Sequence, residues 1–388
     1  MPFRFLRKFP GIFVKEIPQF RPPIVGVETS ITAFIGWSPK GPENEAVRVV
    51  SFKAYEQVFG GLEAESLLAF AVEHFFANGG KEARIIRLAD GNAPLAPNES
   101  LFRTRLMEPG KGVHLLDAVD LFNLLCVPGL TEATSIGLLQ AFCAERRAFL
   151  IVDSAETATS ASLQGGVDPG LAGSEAMNAA FYFPWVNAPN PLNNLQPEAY
   201  PPCGFIAGLY ARTDAARGVW KAPAGRSASL TGATGPAQPL SSGESGLLNR
   251  EAVNCIRFFT PYGTLCMGAR TLHGQNSRGS EWKYIPVRRT ALFIEESLNR
   301  GLQWAVFEPN DENLWKEVVS SVNVFMNNLF RKGAFQGRSA KEAWFARCDR
   351  STTSQVDIDR GVFNLLVGFA PLKPAEFVLL KLVLRAGP

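Results

Sequence analysis

Apolar and polar positions fall in blocks along the chain, and the clearest block is the last one. Phe377-Val-Leu-Leu-Lys-Leu-Val-Leu384 is apolar on both faces of an extended strand, with Lys381 as its one charge. At strand rise this run reaches roughly 26 Å. An unpaired segment of this kind aggregates, so the pattern predicts a strand with partners on both sides. Pro371 and Pro374 keep the approach extended and disfavour a tight hairpin. At the other end, Phe9-Pro-Gly-Ile-Phe-Val-Lys-Glu-Ile17 is a short strand-like stretch closed by Pro18 and the Arg21-Pro-Pro23 linker. Both ends therefore read as arms on a compact body. Two arrangements satisfy them: strand addition to another copy of the chain, or pairing with each other or with the chain's own sheet.

Between the arms, apolar runs alternate with helical periods. Thr32-Ala-Phe-Ile-Gly-Trp37 is a buried strand, followed by the loop Ser38-Pro-Lys-Gly-Pro42. One helix runs from Ser51 as N-cap to Gly60 just past its end, and another from Ser66 to Asn78, stopped by Gly79-Gly80. Residues 83–88 return as a strand. A strand over 120–127, an amphipathic helix over about 134–146 and a strand over 148–153 make a unit that favours parallel pairing in an α/β layer. Residues 154–178 and 225–246 carry no sustained period and read as surface loops or mobile insertions, with strand-like stretches at 180–185 and 204–211 between them. Further on, the pattern predicts strands over 253–259 and 264–269, a helix over 288–300, a strand over 303–307 and a long helix over 311–332. In that last helix Leu314, Val318, Val322, Phe325 and Leu329 form one stripe, with Trp315, Val319, Met326 and Phe330 beside it. Arg331 and Lys332 complement its negative end and Gly333 is suited to its cap.

A chain of 388 residues with 46% apolar and 11% aromatic content is long and hydrophobic enough for two or three cores. Lys plus Arg (39) nearly balances Asp plus Glu (36), which argues against nucleic acid as a main partner. Arg4, Arg7 and Lys8 are interleaved with aromatic and aliphatic residues, but no signal-type apolar run follows, so synthesis in the cytoplasm is expected. No stretch approaches the roughly 18 apolar residues of a membrane-spanning helix. Cys126, Cys143, Cys203, Cys255, Cys266 and Cys348 form no CxxC pair and read as buried hydrophobes in a reducing compartment.

Catalytic patterns are missing. His74, His114 and His273 are far apart and sit in no metal-ligand spacing; His74 lies in an apolar helix and reads as core. Asp349, Asp357 and Asp359 lack the downstream ligands of a calcium loop, and Asp357-Ile-Asp359-Arg-Gly361 reads as a turn. There is neither GxGxxG nor GxxxxGK[ST] among the 35 glycines. Gly243-Glu-Ser-Gly246 is one residue short of a nucleophile elbow and is expected in a polar loop. Glu295 and Glu296 are adjacent on a helix, about 100° apart, so at least one is expected in solvent. No active site or cofactor site is expected.

The blocks themselves form a family pattern. They include Pro10-Gly-Ile-Phe-Val-Lys-Glu-Ile17, Thr32-Ala-Phe-Ile-Gly36, Phe75-Phe-Ala-Asn-Gly-Gly80, Val127-Pro-Gly129, Tyr182-Phe-Pro-Trp185, Gly208-Leu-Tyr-Ala-Arg-Thr-Asp214 and Gly218-Val-Trp-Lys-Ala-Pro223. Val253-Asn-Cys-Ile-Arg257, Gly268-Ala-Arg-Thr-Leu272, Val287-Arg-Arg289, Phe293-Ile-Glu-Glu-Ser297, Val306-Phe-Glu-Pro-Asn-Asp311 and Pro371-Leu-Lys-Pro-Ala-Glu-Phe377 continue the series. In this order and number they resemble contractile-tail sheath proteins of phage tails, R-type pyocins and extracellular contractile injection systems. Met267, where the family usually has Trp, and Ser351-Thr-Thr-Ser-Gln355 depart from the pattern.

The resemblance implies a mixed α/β (α+β) fold: a two-domain sheath protomer with extended N- and C-terminal β-strand arms. The expected division is an arm at 1–24, an outer domain at 25–249, an inner tube-facing domain at 250–372 and an arm at 373–388. Inter-subunit strands are expected at Ile12, Phe13, Val14 and at Phe377, Val378, Leu379, Leu380, Leu382, Val383. Arg331, Lys332, Arg338 and Lys341 form the densest basic cluster of the inner part and are candidates to face an acidic tube. The implied function is a non-enzymatic structural subunit that polymerises with six-fold symmetry around an inner tube and contracts to drive it through a target envelope. Baseplate and terminal cap proteins would be its other partners, with no nucleic acid and no membrane insertion. The alternatives are a minor sheath paralogue that caps or joins the sleeve to the baseplate and, further off, an α/β hydrolase-like enzyme.

Overall fold

The computed structural model describes residues 22–91 and 93–376. Strand β1 (Thr32–Gly36) is wholly buried, and after the short β2 (Val47–Val49) come α1 (Phe52–Phe59), α2 (Leu67–Ala77) and β3 (Ala83–Arg87). Side-chain caps set both helix starts: Ser51 accepts from the Ala54 N–H and Ser66 from the Ala69 N–H, and Gly60 closes α1 at φ 101°. Helix α3 (Ser100–Leu106) leads to β4 (Leu124–Cys126), α4 (Ala133–Glu145), β5 (Phe149–Asp153) and β6 (Ala179–Phe183). A small antiparallel flap of β7 (Val186–Asn190), β8 (Gln196–Tyr200) and β9 (Gly235–Pro236) flanks α5 (Cys203–Arg217), and α6 (Ser242–Arg250) precedes the hairpin β10 (Val253–Phe259) and β11 (Gly263–Cys266).

Eight of these strands make one sheet in the order β11-β10-β6-β5-β4-β1-β3-β2. The strands from β3 to β10 are parallel, and only the outermost pairs are antiparallel. The expected parallel unit is present, with Leu124 opposite Phe149. Alternation along β1 feeds two cores, since Phe34 packs under α2 and α5 while Ala33 and Ile35 face α4. Helices α2 and α5 cross closely: a Cβ on Gly204 would overlap the Ala71 carbonyl, and one on Gly208 the Phe75 carbonyl.

A second, smaller module follows in α7 (Ile285–Gly301), α8 (Glu312–Arg331), α9 (Ala340–Ala343), β12 (Trp344–Arg347), α10 (Gln355–Asp359) and β13 (Leu366–Phe369). Helix α8 matches its expected bounds, capped by Asp311, which accepts from the Asn313 and Leu314 N–H groups; its stripe Leu314, Val318, Val322, Phe325 and Leu329 is buried. Helix α7 belongs to both modules, because Ile285 and Leu292 enter the large core while Ile294 and Leu298 meet Val322, Phe325 and Leu329. Strands β10 and β11 hydrogen-bond within the large sheet, so the division expected at 249/250 cuts through that unit; the change of core comes along α7.

Several expectations are corrected. Residues 204–211 are the buried first half of α5 rather than a strand; apolar all round, they show no amphipathic period. Residues 303–307 form one 3₁₀ turn (Gln303–Ala305) and a bend, with Phe307 at φ 67° and fully exposed, because only ten residues separate the ends of α7 and α8. Gly243-Glu-Ser-Gly246 lies on α6, which a Ser241/Glu244 capping box nucleates, and not in a loop. Residues 154–178 are not a bare surface loop, since Val167, Leu171 and Ala176 pack into the core beneath α4. The strand expected over 120–127 is confined to Leu124–Cys126. All six cysteines are buried and free, as expected. His74 stacks on Phe205 at 3.8 Å, and burial pushes its imidazole down to about 3, so it is a neutral core residue.

Candidate assembly site at the roots of the two arms

The segment that brings the chain from residue 22 into β1 is strapped along α7. Ile24 is buried in the small-module core, and a side chain on Gly26 would collide with the Phe293 ring. The Val27 N–H donates to Ser297 Oγ at 3.1 Å. Thr29 Oγ1 donates to Asp214 Oδ2 at 2.7 Å, and Arg289 grips the same carboxylate from Nη1 and Nη2 at 3.1 and 2.6 Å. Arg289 Nη2 also donates to the Thr29 carbonyl at 2.8 Å, and its guanidinium lies over the Tyr210 ring at 4.5 Å. Arg289 and Asp214 are both almost fully buried, a two-pronged pair whose polar atoms are met by neighbours.

The outgoing root is built in the same way. Beyond β13, the Ala370 N–H donates to the Ala343 carbonyl at 2.7 Å and the Gln336 N–H to the Ala370 carbonyl at 2.9 Å. Residues 372–376 then cross to the large module, where Glu376 meets Arg270: Nε to Oε1 at 2.7 Å and Nη2 to Oε2 at 2.6 Å. Tyr284 Oη and Asn249 Nδ2 add donations at 3.3 and 3.4 Å, and Lys283 Nζ stands 3.9 Å away. Arg270 is held in turn by the Gly274 carbonyl and Asn276 Oδ1, while Asn254 ties down its backbone on both sides. Burial alone would push the Glu376 carboxyl up, but the bonds and charge of Arg270, then Asn249 and Lys283, outweigh it and hold the carboxyl below its usual range.

The expected arm residues Ile12, Phe13, Val14, Phe377, Val378, Leu379, Leu380, Leu382 and Val383 lie outside the described residues. The basic candidates are all exposed: Arg331 and Lys332 end α8, and Arg338 and Lys341 lie at α9, where the Arg338 N–H donates to Glu342 Oε2 at 2.9 Å. Asp357 caps α10 together with Ser354, and Asp349 caps its own turn through Ser351. Among the described residues, no group of three or more His, Cys, Asp or Glu side chains is placed to hold a metal, and no helix is long and apolar enough to cross a membrane. The site residues missed from sequence are Thr29, Asp214, Arg270, Arg289 and Glu376. Four of them, Asp214, Arg270, Arg289 and Glu376, are charges that stand inside family blocks quoted above.

The described part of the chain is thus a parallel α/β body carrying a small helical module, with the segments entering at 22–31 and leaving at 372–376 each held beside an ion pair. Comparison with known proteins shows what this build resembles. The profile of the phage tail sheath C-terminal domain matches residues 277–385. A Pseudomonas aeruginosa (strain UCBPP-PA14) protein described as a prophage major tail sheath protein is 26% identical over 281 residues, covering 68% of this chain and 66% of that protein. The tail sheath protein of Burkholderia phage BcepMu is 29% identical over 254 residues, 60% of this chain and 50% of its own length. The chain thus spans between half and two thirds of these relatives. The anti-feeding prophage helical sheath in its contracted state superposes with a TM-score of 0.78 at 28% identity, over 97% of this chain and 99% of that one. In sequence and in fold the chain is thus similar to contractile-tail sheath proteins, and its C-terminal part matches their C-terminal domain.

Proposed function

We propose that the chain polymerises into a six-fold helical sleeve around an inner tube, linked by its terminal arms, and that the sleeve contracts to drive the tube through a target envelope. The role is structural and non-enzymatic, with the tube, baseplate and cap proteins of a phage tail-like particle as partners. The observation that carries this reading is the β12–β13 pair. It stands as a two-stranded antiparallel sheet whose outer edges, apart from the bridge of Phe335 to Pro371 just past β13, have no strand partner among the described residues, and Phe345 and Leu366 project half-exposed from it. Two strands alone are marginal in water, and open edges invite added strands. The arms supply apolar strands of the kind such edges accept.

The two roots suit a link that survives motion. Each arm leaves a rigidly clamped point, so body modules can rotate and move outward while arm strands stay paired in a neighbour. Contraction is then a switch between two packings of the bodies, released at the baseplate. Removing residues 377–388 while keeping Glu376 tests the scheme. The expected result is a protein with unchanged thermal unfolding that forms no long polymers by sedimentation and negative-stain microscopy. Full-length sleeves from the shortened chain would refute arm linkage, and global unfolding would favour pairing within the chain itself.

A further inference from the structure

A groove of about 760 Å³ opens between the two modules, with the outgoing segment 372–376 along one rim. Five cationic side chains line it: Arg217 at the end of α5, Lys221 just beyond, Arg257 on β10, Lys332 at the cap of α8 and Lys373 on the rim. Its one carboxylate, Glu376, is committed to Arg270 and Lys283. None of the five cations has an ion-pair partner among the described residues. Neutral groups hold some of them in place: Arg257 donates to the Leu240 carbonyl and Ser242 Oγ and lies over Phe259, and Lys221 donates to the Ala222 carbonyl. Burial, and then the nearby charge of Arg217, push the Lys221 ammonium below its usual range.

This concentration is local, since the whole chain carries a formal charge of only +3. Folding has gathered like charges around one concavity with no free counter-charge among the described residues that line it, an arrangement that favours an anionic occupant. The walls also offer Trp220, Met267 and Leu372, with Met267 exposed, so a small inorganic anion would leave apolar surface unused. The size falls in the range of sites for extended organic ligands.

We propose that this groove is a docking surface for an acidic peptide segment of a partner protein, carrying several carboxylates around an aliphatic or aromatic side chain. Arg217, Lys221 and Arg257 come from the large module and Lys332 from the small one, so the occupant touches both and fixes their relative placement. The inference stands on the groove's own charges and goes beyond the sleeve-forming role.

The test uses the full chain and a fluorescein-labelled peptide, Glu-Glu-Leu-Phe-Glu-Glu, with its lysine-for-glutamate counterpart as control. Fluorescence anisotropy is expected to show saturable binding of the acidic peptide alone, weakening severalfold from about 50 mM to about 200 mM salt. The double variant Arg217→Glu, Lys373→Glu, at two exposed positions, is expected to bind at least tenfold more weakly with unchanged thermal unfolding. Arg360→Glu, exposed and outside the groove, is expected to bind as the parent does. Absence of saturable binding to the parent, equal binding by the double variant, or an equal loss in Arg360→Glu would each overturn the assignment.

Discussion

Arg270 and Glu376, 106 positions apart, meet in a two-pronged ion pair at 2.7 and 2.6 Å, with the guanidinium only 1% exposed. It lies at the end of the described residues, and it anchors the outgoing segment 372–376 to the large module even though the preceding strand belongs to the small one. Replacing Glu376 by Ala strands a buried cation, which costs about 3 kcal/mol. Glu376→Gln keeps part of the hydrogen bonding and costs about 1 kcal/mol. Urea unfolding measures both. The sign with pH follows from the lowered Glu376 carboxyl: its contribution is present above the ordinary carboxylate range and disappears as pH falls through the lowered value. The parent is therefore expected to lose more stability than Glu376→Gln on acidification below about pH 4.

Asp153 carries the opposite sign. At the end of β5 its carboxylate accepts from the Gly129 N–H at 3.0 Å and the Cys203 N–H at 2.8 Å, joining a strand, a loop and the start of α5. Burial pushes its carboxyl up to about 6 against those two bonds. A raised carboxyl stabilises the fold most below its unfolded value of about 3.9, and that contribution disappears as pH rises through the folded value. Thermal unfolding between pH 4 and pH 7 is expected to show this loss, roughly 1–3 kcal/mol, in the parent and not in Asp153→Asn. The amide variant is less stable at every pH, because its NH₂ faces an N–H donor where an oxygen stood.

The α2–α5 crossing gives a prediction in which two effects compete. Alanine for Gly204 gains about 1 kcal/mol of helix propensity. Its Cβ would overlap the backbone carbonyl of Ala71, and neither helix can move without disturbing the sheet beneath. Overpacking of this kind costs about 1–3 kcal/mol, so net destabilisation is expected in chemical unfolding. An unchanged or raised midpoint would mean that the helices can separate freely.

Local rules read well where a single residue decides the outcome. Ser51, Ser66 and Asp311 each start the helix expected of them, because a short polar side chain meets one or two otherwise unpaired backbone N–H groups where the chain turns into a helix. The stripe on α8 was legible because one face alone is buried. Residues 204–211 were not, since a helix enclosed on all sides loses its period and glycines that permit close crossing look like strand breakers. The arm roots were legible only as motifs. Nothing local tells Arg270 that its partner is Glu376, or Arg289 that it will grip Asp214, because those pairs exist only after two modules and two distant segments have been brought together.

The exposed cluster at the end of α8 offers a test of the proposed tube contact. If Arg331, Arg338 and Lys341 meet an acidic tube surface, reversing all three to Glu replaces attraction by repulsion; single reversals are too weak to resolve, since an exposed pair contributes about 0–1 kcal/mol. Lys332 is left unchanged because it also lines the basic groove, which keeps the two outcomes separate. All three reversed side chains are exposed, so the fold should survive with only a small penalty from the new carboxylate at the negative end of α8, about 0.3–1 kcal/mol. In the proposed scheme, tube contact is needed only while the sheath is extended. The triple variant is therefore expected to lose extended sheath on tubes while still forming tube-free, contracted-like polymers, and raised salt should reproduce part of the loss in the parent. Co-assembly with purified tubes at low ionic strength, scored by electron microscopy, decides the matter: sheathed tubes in parental numbers would mean that these three residues face elsewhere.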